Sequence, residues 1–180
     1  MKIIKSIGDN SYLKKRKKFI SALINDKPDE IQGVCSTKFM LRITQQPPGQ
    51  DNYVSSLVGY VTQFSMAKKY NVIGLLAHNY RAGEKFFHLK IGNIIQIIYG
   101  DGLTGIYQVQ TIEKYRALQP NSPISNFEDL VTNKILTAAE LFKHQYTGKH
   151  RLVLQVCIQE GTITTAGRMF VTAKFLGGKK

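Results

Sequence analysis

A thiol beside a positive charge is the chemistry this chain offers most plainly. Two cysteines occur, Cys35 and Cys157, separated by 122 positions. Neither a disulfide framework nor a cysteine-based zinc cluster can be built from them, so each is read as a lone thiol. Cys157 lies in Arg151–Ile158 (RLVLQVCI), and a second β-type run, Arg168–Phe175 (RMFVTAKF), follows after the nine residues Gln159–Gly167, which include Gly161 and Gly167. That spacing suits an antiparallel hairpin. Facing residues of such a ladder keep a constant index sum, so a centred loop sets Cys157 opposite Arg168. Opposed side chains share a face, with Cβ atoms ~4.5–5.5 Å apart. Positive charge beside a thiol favours the thiolate, the nucleophilic form. The plainer alternative is a small core residue, since cysteine is among the most buried residue types.

A cysteine nucleophile needs a proton-transfer partner, for which histidine is the usual choice. His78 follows the apolar run Val72–Ala77 (VIGLLA) and precedes Asn79-Tyr80-Arg81, which places it where a buried strand gives way to a loop. His88, in FFHLK, and His144 and His150, flanking QYTGK, read as surface residues. Cys35, in QGVCSTK, has no basic strand partner and reads as a bystander.

The elements that must position these residues are mostly strands. β-type runs rich in Val, Ile, Leu, Tyr and Thr cover Lys38–Thr44, Tyr53–Val61, Asn71–Ala77, Asn93–Tyr99, Gly105–Ala117, Arg151–Ile158 and Arg168–Phe175, punctuated by turn chemistry such as Gly100-Asp101-Gly102. Seven or eight short strands in about 140 residues predict a mainly β fold, a closed barrel or a sandwich. QQPPGQD at Gln45–Asp51 cannot continue a helix or a central strand and predicts a loop. Gln63–Tyr70 and Asn126–Tyr146 carry helical spacings, the latter with a capping box at Thr137 and Glu140.

The 180 residues suffice for one domain with a sizeable core. With 43% apolar and 21% charged residues, wholesale disorder is excluded. Lys and Arg exceed Asp and Glu by 25 to 12, a net charge of +13 that favours polyanionic surroundings. Residues 1–20 hold +6 of it, mainly in Lys14-Lys15-Arg16-Lys17-Lys18. Residues 1–30 are expected to form a basic, flexible segment ahead of a domain at 31–180. No run approaches the ~18–20 apolar residues of a spanning helix, and the first ten residues lack the pattern of a secretory signal.

The ordered set of histidine, cysteine and arginine resembles the sortases, the cysteine transpeptidases of bacterial cell surfaces. Their mark is a Thr-Leu-x-Thr-Cys strand, an arginine some ten residues later opening the last strand, and a histidine far upstream at a strand end. Val153-Leu154-Gln155-Val156-Cys157, Arg168 in GRMFVTA and His78 in LLAHNY occupy those places, and FFHLKIGNIIQI is similar to the family's helix-turn-strand segment. Valine stands at both threonine positions, which removes a hydroxyl that could arrange the site. The resemblance spans residues 53–176 and leaves the sortase class open.

The resemblance implies a closed eight-stranded barrel with short helices in its connections, and His78, Cys157 and Arg168 converging at one end. Cys157 would attack a sorting-signal peptide of the Leu-Pro-x-Thr-Gly kind to form a thioacyl intermediate, resolved by an amine of the cell wall or of a pilin. His78 would act as general acid and base, and Arg168 would hold the peptide and the oxyanion. Val156, Leu130 and Leu136 are the expected substrate contacts. The resemblance further implies an extracytoplasmic, cell-surface location. No cofactor is expected: some relatives hold calcium on loop carboxylates, but Asp101, Glu113, Glu128 and Asp129 are scattered. Two other readings remain, a sortase-like barrel that binds peptide without catalysis and a basic nucleic-acid-binding domain. Against the second, the aromatics do not interleave with the basic cluster and no nucleic-acid motif is present.

Overall fold

The β-type runs close on one another. The computed structural model describes residues 10–122 and 124–180. Among these, the strands are β1 (Ile31–Ser36), β2 (Phe39–Gln45), β3 (Tyr60–Gln63), β4 (Ile73–Ala77), β5 (Ile94–Tyr99), β6 (Thr104–Ala117), β7 (Phe127–Asp129), β8 (Ile135–Leu136), β9 (Arg151–Glu160) and β10 (Ile163–Gly178). The helices are α1 (Asn10–Ser21), α2 (Ser65–Lys68) and α3 (Ala138–Tyr146), with a 3₁₀ helix at Ala82–His88. The strand order is β10-β9-β4-β3-β2-β1-β5-β6, and β6 pairs back onto β10, which closes an eight-stranded barrel. The hairpin β7–β8 extends the sheet outward from β6.

Closure explains the near-continuous apolar runs. On β9, Leu152, Leu154 and Val156 fill the barrel interior, while Val153 faces the other way into a second core. That outer core lies under α3 and gathers Tyr115, Phe127, Leu141, Tyr146 and Phe170. On β5, Ile95 and Ile97 face the interior and Ile98 packs outward against Leu23 and Cys35. A strand buried on both faces loses its polar alternation.

Three sequence expectations change. Asn126–Tyr146 is not one helix: Asp129 accepts from the backbone N–H groups of Val131 and Thr132 (2.8 and 3.0 Å), and Asn133 takes φ 58, so the chain turns back as β7–β8. Asx-turns of this kind compete with helix. The helix begins only after the Thr137–Glu140 capping box, which is formed. Tyr53–Val61 is strand only from Tyr60, because Ser55 turns the chain by accepting from the Leu57 N–H (3.2 Å). Residues 10–21 form a helix instead of a flexible tail, with Phe19, Ile20 and Leu23 packed on Cys35 and Ile98. Residues 1–9, the rest of the expected basic segment, lie outside the described residues. No helix among the described residues is long and apolar enough to cross a membrane.

Candidate active site

The β9–β10 ladder places Cys157 opposite Arg168, in the register that the hairpin spacing predicts. The hairpin itself is longer than expected: pairing continues to Glu160 and Ile163, and an irregularity between Ile163 and Gly167 absorbs the difference. On the other side, β4 runs parallel to β9 with Ala77 opposite Val156. His78 and Cys157 are each the next residue along. Side chains alternate across a strand, and Ala77 and Val156 face the barrel interior, so His78 and Cys157 emerge together on its outer face. All three candidates are half-buried. The row continues through Tyr115 on β6, which pairs with Arg168, to Asp129 on β7.

Arg168 is held by the sheet instead of by an acid. Its Nη1 donates to the Gly167 carbonyl (2.9 Å) and its guanidinium lies 5.8 Å from the Phe127 ring centroid. Among the described residues it has no carboxylate partner, which leaves most of its five N–H donors for a ligand. Gly167 is required beside it, because a Cβ there would collide with the Tyr115 carbonyl oxygen of β6.

His78 is fixed on two sides. Its Nε2 lies 3.1 Å from the Val54 carbonyl oxygen, and its ring stacks on Tyr80 at 5.2 Å. A carbonyl only accepts, so Nε2 carries the proton and Nδ1 is left to exchange one. The loop that supplies Val54 is pinned by Gln46, whose Nε2 donates to the Asp51 and Tyr53 carbonyls (2.9 and 3.0 Å) and whose Oε1 accepts from Ser65. Gln46 thus anchors the proline-containing loop, in which only Pro47, Pro48 and Gly49 stand out in sequence. Two further contacts tie the β9–β10 turn to its surroundings: Asn79 Nδ2 donates to the Thr164 carbonyl (3.3 Å) and Thr165 Oγ1 to the Pro120 carbonyl (2.8 Å).

Val156 is a correction. It is 1% exposed and faces the barrel interior among the apolar side chains of the main core, so it is not presented to a bound peptide. Leu136 packs against the outer core, and Leu130 is exposed at the end of β7 with its N–H on the Lys114 carbonyl (3.0 Å). Both lie beyond β6 from Arg168 and are not brought against Cys157 by the strand register. The scattered carboxylates each have other partners: Asp101 pairs with Lys179, Glu113 with His144 and Gln145, Glu128 with Arg116, and Asp129 caps its own turn. No group of three or more His, Cys, Asp or Glu among the described residues is placed to hold a metal ion.

No family model matches the sequence, and the search of curated proteins found no match. The fold is that of the sortases. Sortase C-1 from Actinomyces oris superposes with a TM-score of 0.56 at 14% identity, over 89% of this chain and 80% of that one. Sortase A from Listeria monocytogenes gives 0.51 at 11% identity, over 83% and 88%. Sortase C from Streptococcus pneumoniae gives 0.51 at 14%, over 94% and 90%. Sortases A and C both appear among these similar structures, so the subclass is not resolved.

Proposed function

We propose that this chain is a cysteine transpeptidase of the sortase kind. The observation that supports the reading is strand register in a sortase-like barrel: Arg168 pairs with Cys157, and His78 and Cys157 each follow one member of the Ala77–Val156 pair. Cys157 passes its thiol proton to His78, and the Sγ thiolate attacks the scissile carbonyl of a sorting-signal peptide of the Leu-Pro-x-Thr-Gly kind. The tetrahedral oxyanion collapses to a thioester as the C–N bond breaks, and His78 protonates the departing amine. An amine of the cell wall or of a pilin then loses its proton to His78 and attacks the thioester; the C–S bond breaks, and the departing thiolate takes that proton back from His78. Arg168 stabilises the oxyanion in both halves. A cell-surface location agrees with this chemistry.

The test is a sorting-signal peptide ending in an electrophile that traps thiols. The expected result is one adduct by mass on the full chain, absent in Cys157→Ala and slowed in His78→Ala. Peptide binding without an adduct would select a binding-only barrel, and neither binding nor adduct would overturn the reading.

A further inference from the structure

α3 packs through Leu141 and Tyr146 over Val153, Phe170 and Tyr115 on the outer face formed by β9, β10 and β6. Toward one end of that face lie Cys157 and Arg168. At the other end, six residues away along the ladder and so about 20 Å distant, Arg151 pairs with Lys174. Around this second pair lies a cleft of about 590 Å³, within the size range of small-molecule sites.

Its lining is strongly cationic. Lys149, Arg151, Lys174 and Lys180 border it, and among the described residues none of the four pairs with a carboxylate. Glu113 is the one acid in the lining, and it already accepts from His144 Nε2 (3.1 Å) and Gln145 Nε2 (2.8 Å). Arg151 is locked in place: Nη2 donates to the carbonyls of His144, Gln145 and Thr147 at the end of α3 (2.6, 2.8 and 3.1 Å), and its buried Nε has no partner. His150 adds no charge near neutral pH, since burial lowers its pKa and its two ring nitrogens are engaged by the Asn71 carbonyl and the Tyr107 hydroxyl. Phe175 gives one apolar wall, with Lys180 Nζ 5.1 Å from its ring centroid, and Thr111, Thr172 and Gln110 offer neutral hydrogen bonds.

We propose that this cleft binds a phosphate-bearing small molecule, with the phosphate between Lys149, Arg151 and Lys174 and the carbon skeleton against Phe175. Uncompensated cations grouped around one cleft match a phosphomonoester, which carries about −1.5 to −2 at pH 7, better than a single carboxylate. The charge favours a free monoester; a phosphodiester offers the same oxygens with one negative charge and is the comparison the titration makes. Binding is independent of the reaction at Cys157.

The full chain is titrated calorimetrically with glycerol 3-phosphate as the monoester, glycerophosphoglycerol as the diester, and acetate at matched ionic strength. Saturable 1:1 binding of a phosphate ester is expected, weakened at least tenfold in Lys149→Gln/Lys174→Gln and unchanged in Cys157→Ala. Lys149 and Lys174 are exposed, so that variant keeps its melting temperature. The ester bound more tightly identifies the source, a free monoester or a phosphodiester chain. A control that removes as much charge elsewhere, Lys14→Gln/Lys15→Gln on α1, should bind as the parent does. The proposal is overturned if neither ester saturates in the millimolar range, if acetate binds as well, or if the α1 variant loses as much affinity as the cleft variant.

Discussion

Gly83 lies so close to Val156 that a Cβ added to it would sit 2.6 Å from Val156 Cγ2 and 2.7 Å from the His78 carbonyl oxygen. The Gly83 N–H also donates to that carbonyl (3.0 Å). The 3₁₀ helix therefore presses on the residues preceding Cys157 and following β4 at once, and backbone cannot yield as a side-chain tip can. Gly83→Ala is expected to destabilise the fold by about 1–3 kcal/mol and to slow peptide labelling of Cys157 through displacement of His78. Urea unfolding and labelling rates check both effects, and an unchanged unfolding midpoint would disprove the tight contact.

Alkaline pH should unfold the chain. Tyr12, Tyr99, Tyr107, Tyr115 and Tyr146 all have pKa values raised above 10.0, with burial as the largest cause in each and Tyr12 and Tyr115 reaching about 12. Each folded-state value exceeds its unfolded one, so the stabilisation is complete below pH 10 and is lost as pH rises toward the folded values. For Tyr146, 2% exposed, the loss is about 1.4 kcal/mol per pH unit above 10. Phenolate absorbance of these tyrosines should rise together with loss of circular dichroism, and Tyr146→Phe should flatten the pH slope. Titration of all of them in a still-folded chain would contradict the burial argument.

The part of the site that was legible in sequence is the part that strand geometry dictates. Hairpin spacing and period-2 alternation suffice to set Cys157 against Arg168, and a strand end suffices to bring His78 out of the core. Local patterns failed where a single polar side chain redirects the backbone: Asp129 turns the chain inside a stretch with helical spacing, and Ser55 ends a stretch with strand composition. β1 is not legible as a strand because Gly33 interrupts its apolar run; the glycine lets the side-chain tips of Leu23 and Phe19 lie against the strand. Val156 was misassigned because facing the substrate and facing the core differ by one residue of register.

The docking of α1 makes a prediction about the other thiol. Cys35 is 0% exposed, with Gln96 Oε1 3.7 Å from its Sγ and Arg16 Nε donating to the same oxygen (2.5 Å). Burial, the largest cause, raises the pKa of the thiol, so both access and reactivity are low. In a Cys157→Ala background, Cys35 should label at least tenfold faster with a small thiol reagent once Phe19→Ala/Leu23→Ala removes the apolar contacts of α1 and of the segment that follows it. Equal labelling rates in the two proteins would mean that α1 does not shield this thiol in solution.

Arg168 separates charge on the thiol from stabilisation of the substrate. The sheet, and not an acid, positions its guanidinium, so its substitution leaves no orphaned carboxylate behind. If it binds the oxyanion, Arg168→Ala should lower the rate of transfer from a sorting-signal peptide by about 10²–10³-fold, while a small thiol reagent still labels Cys157 at nearly the parental rate. Arg168→Lys keeps the charge but loses the planar fork and should fall between the two. Equal losses with peptide and with reagent would shift the role of Arg168 to the ionisation of Cys157. Full peptide activity in Arg168→Ala would remove it from the mechanism.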